Sequence, residues 1–364
     1  MKAHAESIVI AAKNSKDRRP SSEGKEGRGV SISHNAVTDM LSLSMWVYLV
    51  GNSIESMSSQ SKEKLVSHYS YTLEQDDLGV SFCHGLTLSD LNKEQLGALH
   101  HLLEDPGRGQ VVKFINDLKT GLQVAVTASL KAQRICVVFR GSDDEFDWVN
   151  NIKTLKTCID KTQDVSVHRG FMGILTRHIQ DLMDCIDRLL GSHPLLDVYV
   201  TGHSLGGALA TLFGYLLARS PAVEGRIGRV TVVSFASPRV GNAGWRRAFD
   251  STQGLAHYRV VNNRDLITAT PSLLYKHTGT VLHLTNSPTT HMKLYQDYHY
   301  SWSRFSMFTC WSVKDHNTSR YWRRLQQVHW IMRGESNDYV FLLKGGLELQ
   351  EPEQAQGKGR GQGQ

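Results

Sequence analysis

The segment Gly202-His203-Ser204-Leu205-Gly206-Gly207 holds the residue types and spacing in this sequence best suited to covalent chemistry. A serine hydroxyl is a weak nucleophile until a base takes its proton. Glycines two residues before and after the serine allow the backbone to turn sharply and to approach its neighbours closely. Residues 196–201 form a short apolar run of strand length. Leu205, Leu209, Leu212, Phe213, Leu216 and Leu217 then make one helical stripe. Strand, sharp turn and helix are what a nucleophile elbow requires: the turn lifts Oγ clear of the sheet, and the helix amino terminus favours negative charge on an intermediate. The expected chemistry is acyl transfer through Ser204, with Gly202, His203, Gly206 and Gly207 completing the elbow.

The elements that must position this serine can be read from periodicity. Residues 123–129 and 134–139 are β-rich runs, with a hairpin expected at 130–133. Residues 171–190 carry Ile174, Leu175, Ile179, Leu182, Met183, Ile186, Leu189 and Leu190 at helical spacing, which predicts one helix. Strands are expected at 230–235 and 257–261, with a short helix at 243–249 between them. This alternation predicts an α/β fold with a mostly parallel central sheet and helices on both faces. In such sheets ligands sit at the carboxyl ends of the strands. The length of 364 residues leaves room for two domains, but the signals run without a long linker or repeat. One domain is therefore expected over 32–345. It is flanked by a basic tail (1–31), expected to be disordered, and a Gly/Gln-rich low-complexity tail (346–364).

Further blocks resemble the class 3, or filamentous-fungal, lipase family of the α/β-hydrolase fold. Val137-Val138-Phe139-Arg140-Gly141-Ser142 is similar to that family's oxyanion strand, and Val167-His168-Arg169-Gly170-Phe171 to its V-H-x-G-F element. Phe235-Ala236-Ser237-Pro238-Arg239-Val240-Gly241-Asn242 resembles its F-x-S-P-R-V-G-N segment. The blocks keep the family's order, and the resemblance covers roughly residues 120–325.

A catalytic serine needs a general base, and the base needs a third group to fix its tautomer. In this fold the acid follows the serine and the histidine follows the acid. Asp265 lies just past the 257–261 strand, and the resemblance assigns the triad acid to it. Six histidines follow: His277, His283, His291, His299, His316 and His329. The residues alone leave the choice open. The resemblance of Asp315-His316 through Tyr321 to the family's D-H-x-Y/F block selects His316, while His277 matches a strand beside the site. An oxyanion needs two preorganised donors. Leu205 N–H, next after the nucleophile, is one, and the resemblance places the second at Ser142. Arg140 reads as a structural ion-pair partner.

Residues 143–151 alternate acidic side chains with Phe146, Trp148 and Val149, the pattern of a short amphipathic lid. Trp148 stands where fungal relatives carry a lid tryptophan. A stretch with Tyr295, Tyr298, Tyr300, Trp302, Phe305, Phe308 and Trp311 suits either an acyl groove or the core of an insertion. Arg320, Arg323, Arg324 and Arg333 interleave with Trp322, Leu325, Val328 and Trp330, which fits a solvated face or contact with anionic lipid.

Composition narrows the classes. Hydrophobic residues make up 40% and charged residues 21% of the chain, ordinary for a globular protein and too apolar for a disordered one. The net charge is +6, and residues 1–30 hold seven basic against four acidic side chains, half of that excess. The remainder is too mildly basic to argue for nucleic acid. Neither a signal peptide nor an apolar run long enough to cross a bilayer is read. The five cysteines show no paired spacing, which predicts small buried thiols, no metal site and a reducing, cytoplasmic location. No cofactor is expected, and the sequence sets no oligomeric state. The expected function is hydrolysis of acylglycerol or related lipid esters by a Ser204–His316–Asp265 triad, with peripheral contact at a membrane or lipid-droplet surface. The alternatives are a phospholipase A1, galactolipase or short-chain carboxylesterase on the same triad, an acyltransferase, and a catalytically silent lipid-binding protein.

Overall fold

The structure, a computed structural model, describes residues 31–58, 81–83, 86–142, 155–271, 274–285, 292–295, 312–331 and 340–342. In chain order, β1 (Ser31–Ser33) leads into helices α1 (His34–Ser56) and α2 (Lys93–Glu104), then strands β2 (Gln110–Asp117), β3 (Leu122–Ser129) and β4 (Arg134–Phe139). A separate hairpin, β5 (Lys156–Asp160) and β6 (Val165–His168), precedes helices α3 (Arg169–Leu175) and α4 (Ile179–Ser192). Strand β7 (Asp197–His203), helix α5 (Leu205–Ala218), strand β8 (Val230–Phe235), helix α6 (Ala243–Asp250) and strand β9 (Leu255–Asn262) follow. Strands β10 (Thr280–Leu284) and β11 (Met292–Tyr295), helix α7 (Thr318–Ile331) and strand β12 (Val340–Leu342) complete the described elements, with β12 antiparallel to β1.

Eight strands make the central sheet in the order β11-β10-β9-β8-β7-β4-β3-β2. The five from β10 to β4 are parallel, and β2, β3 and β11 continue the sheet antiparallel at its two sides. Strands β4 and β8 are buried at every position, as expected where helices cover both faces. Alternation along β4 divides the core: Cys136 and Val138 pack with α1, α2 and α7, whereas Ile135, Val137 and Phe139 pack with α3 to α6. The chain is thus a single α/β domain with a mostly parallel sheet and helices on both faces, as the alternation predicts. The expected hairpin is present, with Ser129 opposite Arg134. The first described strand begins at Ser31, within the expected tail.

Two expectations change, and one helix is added to them. The single helix predicted over 171–190 is two helices, α3 and α4. After Leu175, the His178 ring turns to the Asp117 carboxylate at the end of β2 (2.9 Å) and to Asp181 (3.3 Å). Phe171, Leu175 and Ile179 still enter one core, so the apolar spacing survives the break. Helix α1, 23 residues long, is buried over most of its length although periodicity does not announce it. Its Thr38, Asp39, Ser42 and Ser44 interrupt the apolar pattern, yet all are buried. Ser42 donates to Thr38 O (2.9 Å) and Ser44 to Met40 O (2.8 Å). Asp39 accepts from His101, Arg108 and Arg134.

The thiols are the second change. Cys136 and Cys185 are buried, and burial pushes the Cys185 thiol up to about 11, but Cys158 is exposed on β5 and Cys83 is half-buried. Cys310 lies outside the described residues. No helix among the described residues is long and apolar enough to cross a membrane.

Candidate active site

Strand β7 ends at His203, α5 begins at Leu205, and Ser204 between them has φ 57° and ψ −124°. This left-handed backbone costs a non-glycine residue about 1–3 kcal/mol and persists only where the surroundings impose it. Here Ser204 N donates to Phe235 O of β8 (2.9 Å), and Ser204 O accepts from Ala208 N (3.2 Å). The glycines allow the crowding. A Cβ on Gly202 would stand 2.6 Å from Phe139 O, and one on Gly206 would stand 2.9 Å from the carbonyl carbons of Phe139 and Arg140. The Ser204 side chain does not cap its own helix.

Asp265 follows the end of β9 in a turn closed by its N–H on Asn262 O (2.9 Å). His316 ends a short 3-10 turn, Val313–His316, capped by the Ser312 side chain. His316 Nδ1 lies 2.9 Å from Asp265 Oδ1 and 3.0 Å from Oδ2. A carboxylate can only accept, so Nδ1 carries the proton and Nε2 presents a lone pair, the tautomer of a general base. Asp265 also accepts from Ile267 N (3.0 Å) and the Tyr321 hydroxyl (2.7 Å). Asp265, His316 and Tyr321 are all at 0% exposure, so the pair works in a dry setting that strengthens its electrostatics.

Neighbouring groups hold the His316 turn. Asn262 Nδ2 donates to Asp315 O (2.7 Å), Asn263 Nδ2 to Asp315 Oδ2 (2.8 Å), and Ser312 N to Arg264 O (3.1 Å). Arg320 and Arg324 pair with Asp315, and Arg323 with Glu94. These three arginines are therefore tied to α2 and the His316 turn. His203 Nε2 donates to His316 O (2.7 Å), so the residue before the nucleophile bonds to the main chain of the base.

Across from the elbow, β4 is followed by Arg140, Gly141 and Ser142. Arg140 is the structural ion-pair residue expected, bonded to Glu55 (2.5 Å), Gln123 (2.8 Å) and Asn52. A Cβ on Gly141 would stand 2.6 Å from His203 O, so the chain carrying Ser142 passes close to the elbow. Ser142 is partly buried, and Leu205 N–H belongs to the first turn of α5.

The other histidines bond elsewhere. His277 Nε2 donates to Thr268 O (2.7 Å), and burial pushes it well below the usual histidine range. His283 Nε2 donates to Asn263 O (2.9 Å). His168 accepts the Gly170 and Phe171 N–H groups and caps α3, which gives the V-H-x-G-F element a structural role. The structure thus joins Asp265 to His316 directly and ties His316 to the elbow through His203, the residue before Ser204, while Gly141, the residue before Ser142, passes close to His203 O. Phe146, Trp148 and Val149, the lid expectation, lie outside the described residues, as do His291, His299, Arg333, the aromatic stretch apart from the Tyr295 backbone, and the His329 and Trp330 side chains. Among the described residues no group of three or more His, Cys, Asp or Glu is placed to hold a metal ion. The Tyr321 bond to Asp265 was not read as a contact from the sequence, although its place in the D-H-x-Y/F block was the available signal.

The sheet order, with the strained serine between strand β7 and helix α5, gives the chain an α/β-hydrolase fold, and the buried Asp265–His316 pair is bonded to the elbow through His203. Residues 136–275 match the family model of the class 3 lipases. The chain is 29% identical over 164 residues to a lipase of Rhizopus niveus, covering 45% of this chain and 41% of that protein. It is 32% identical over 214 residues to a chloroplastic galactolipase of Arabidopsis thaliana (48% and 45%) and 33% identical over 157 residues to a chloroplastic phospholipase A(1) of the same plant (38% and 34%). The chain thus matches less than half the length of these relatives. Among solved structures, lipase II from Rhizopus niveus superposes with a TM-score of 0.55 at 20% identity, covering 79% of this chain and 96% of that one. A triacylglycerol lipase described as having a serine protease triad at its catalytic centre also gives 0.55, at 23% identity (72% and 98%).

Proposed function

We propose that the protein is a serine ester hydrolase acting on acylglycerols or related lipid esters. The observation that carries this reading is the His316 Nδ1 contact with both Asp265 oxygens, with His316 O bonded to the residue that precedes a serine held at φ 57°. Ser204 Oγ attacks the ester carbonyl while its proton moves to His316 Nε2. Asp265 keeps the ring oriented and stabilises the imidazolium. Leu205 N–H and Ser142 N–H donate to the oxyanion. The tetrahedral intermediate collapses, His316 gives its proton to the departing alcohol, and an acyl-enzyme remains. Water, deprotonated by the same histidine, then releases the acid.

A phospholipase A1 or galactolipase reading is favoured by the names of two relatives and uses the same chemistry on a different headgroup. A cytoplasmic location with peripheral contact at a lipid surface belongs to the same proposal. It is supported by the free thiols at positions 83, 136, 158 and 185.

The test is a set of triacylglycerol, phosphatidylcholine and galactolipid substrates of matched acyl chains, run beside p-nitrophenyl butyrate with a Ser204→Ala control. Hydrolysis lost in the control supports the assignment, and the preferred headgroup chooses between the readings. Equal hydrolysis by the control refutes it.

A further inference from the structure

We infer that Tyr48 and His203 are positioning residues for His316, linked in a hydrogen-bonded chain from helix α1 to the main chain of the base. The inference rests on reading Ser204 and His316 as nucleophile and base.

The chain has one direction. His316 O can only accept, so His203 Nε2, 2.7 Å away, carries its proton. His203 is at 0% exposure. Its burial, and then the His316 ring beside it, push it well below the usual histidine range, so it stays neutral at pH 7. Its Nδ1 is therefore a lone pair, and the Tyr48 hydroxyl at 3.2 Å must donate to it. Proton positions thus run Tyr48 O–H to His203 Nδ1, then His203 Nε2–H to His316 O.

The rings fit the same arrangement. His203 and His316 lie with centroids 4.6 Å apart, and Tyr48 meets His203 edge-on at 5.9 Å. Tyr48 also borders the oxyanion loop: a Cβ on Gly141 would stand 3.1 Å from its Cζ, and the Arg140 guanidinium lies 5.5 Å from its ring centroid. One phenol therefore touches the oxyanion loop and, through a single imidazole, the turn that carries the base.

Nothing in the elbow itself requires an imidazole at position 203. The glycines relieve its crowding, and the Phe235 and Ala208 backbone bonds hold Ser204. An imidazole has two nitrogens on opposite sides of one rigid ring, and both are used here. Tyr48 and His316 lie outside the stretch 136–275 that matches the family, so the chain of bonds ties two flanking segments to the centre of that stretch.

The test compares Tyr48→Phe, His203→Asn and His203→Gln with the wild-type protein. Each is assayed for kcat and KM on p-nitrophenyl butyrate, for the rate of Ser204 modification by a fluorophosphonate, and for Tm. Tyr48→Phe keeps the ring and removes the donor. Its expected effect is about a 10-fold fall in kcat at nearly constant KM, with a matching fall in modification rate, as for one lost hydrogen bond. Asn carries its amide near the Nδ1 position and cannot reach His316 O, whereas the Gln amide nitrogen can take the Nε2 position. His203→Asn leaves the buried His316 O without its donor and is expected to lose about 10- to 100-fold, and His203→Gln, which restores that donor, is expected to recover most of that loss.

Unchanged kcat in Tyr48→Phe and His203→Asn overturns the inference, as does a rise in KM alone or a Gln variant no better than Asn. A wild-type protein that neither hydrolyses the ester nor takes the label removes the underlying site reading as well. An active wild type with indifferent variants removes only the Tyr48–His203 chain.

Discussion

Replacing Asp265 by Asn tests the orienting acid with little change in shape. His316 Nδ1 is almost equidistant from the two carboxylate oxygens, at 2.9 and 3.0 Å. An amide in either orientation therefore puts an N–H donor within that distance of Nδ1. If the amide nitrogen takes the Oδ1 position, it also faces the Ile267 N–H, which now has no acceptor. If it takes the Oδ2 position, it faces the Tyr321 hydroxyl hydrogen. In both orientations an amide N–H competes at Nδ1 with the ring proton, so the tautomer with its proton on Nε2, which cannot accept from Ser204, becomes accessible. The negative charge that stabilises the imidazolium is also gone. Loss of tautomer and charge at a triad acid lowers kcat by about 10³–10⁴, or roughly 4–5.5 kcal/mol of barrier. The assay is kcat on p-nitrophenyl butyrate at pH 7, with Tm as a folding control. A folded Asp265→Asn protein within tenfold of wild-type kcat would refute the reasoning.

Other perturbations probe the frame around the site. Gly206→Ala drives a methyl against the backbone of Phe139 and Arg140; it should cost about 1–3 kcal/mol in urea unfolding and slow phosphonylation of Ser204, and an unchanged midpoint and rate would contradict the close-approach argument. Asp39→Ala leaves buried Arg134 without the carboxylate that Arg134 Nη1 reaches at 2.7 Å, so about 3–5 kcal/mol of stability should be lost; a loss under about 1 kcal/mol counts against it. The His178 hydrogen bond holds the Asp117 carboxyl well below the usual carboxylate range. A depressed folded pKa gives stability that is present above the unfolded value of about 4 and lost as pH falls below it. The Tm gap between wild type and His178→Asn should accordingly narrow on acidification from pH 6 to 3, and a gap that widens reverses the sign of that argument.

Legibility followed how local the determinants were. Strand β7, Ser204 and α5 are specified by a run of adjacent residues, glycines at fixed offsets and one helical stripe, all readable in sequence. The middle strands read well because burial on both faces makes them apolar runs. Asp265 and His316 are 51 residues apart, and no local pattern says that they touch; the family resemblance supplies the pairing. Helix α1 is not legible in the sequence because Asp39, Thr38, Ser42 and Ser44 break its periodicity, and only the tertiary structure shows their partners. At the break between α3 and α4, His178 bonds to Asp117, 61 residues upstream, a contact that spacing alone does not show. The polar bonds of Tyr321 and His203 are likewise long-range. His203 could be placed in the elbow, but its contact with the base could not be read.

The central claim is that Ser204 is a nucleophile activated by His316. It is tested most directly by treating the protein with a fluorophosphonate and locating the adduct by peptide mass spectrometry. The expected result is one phosphonyl group on the peptide bearing Ser204, absent in Ser204→Ala and formed far more slowly in His316→Ala. Labelling at another residue, or at Ser204 with an undiminished rate in His316→Ala, would contradict the account.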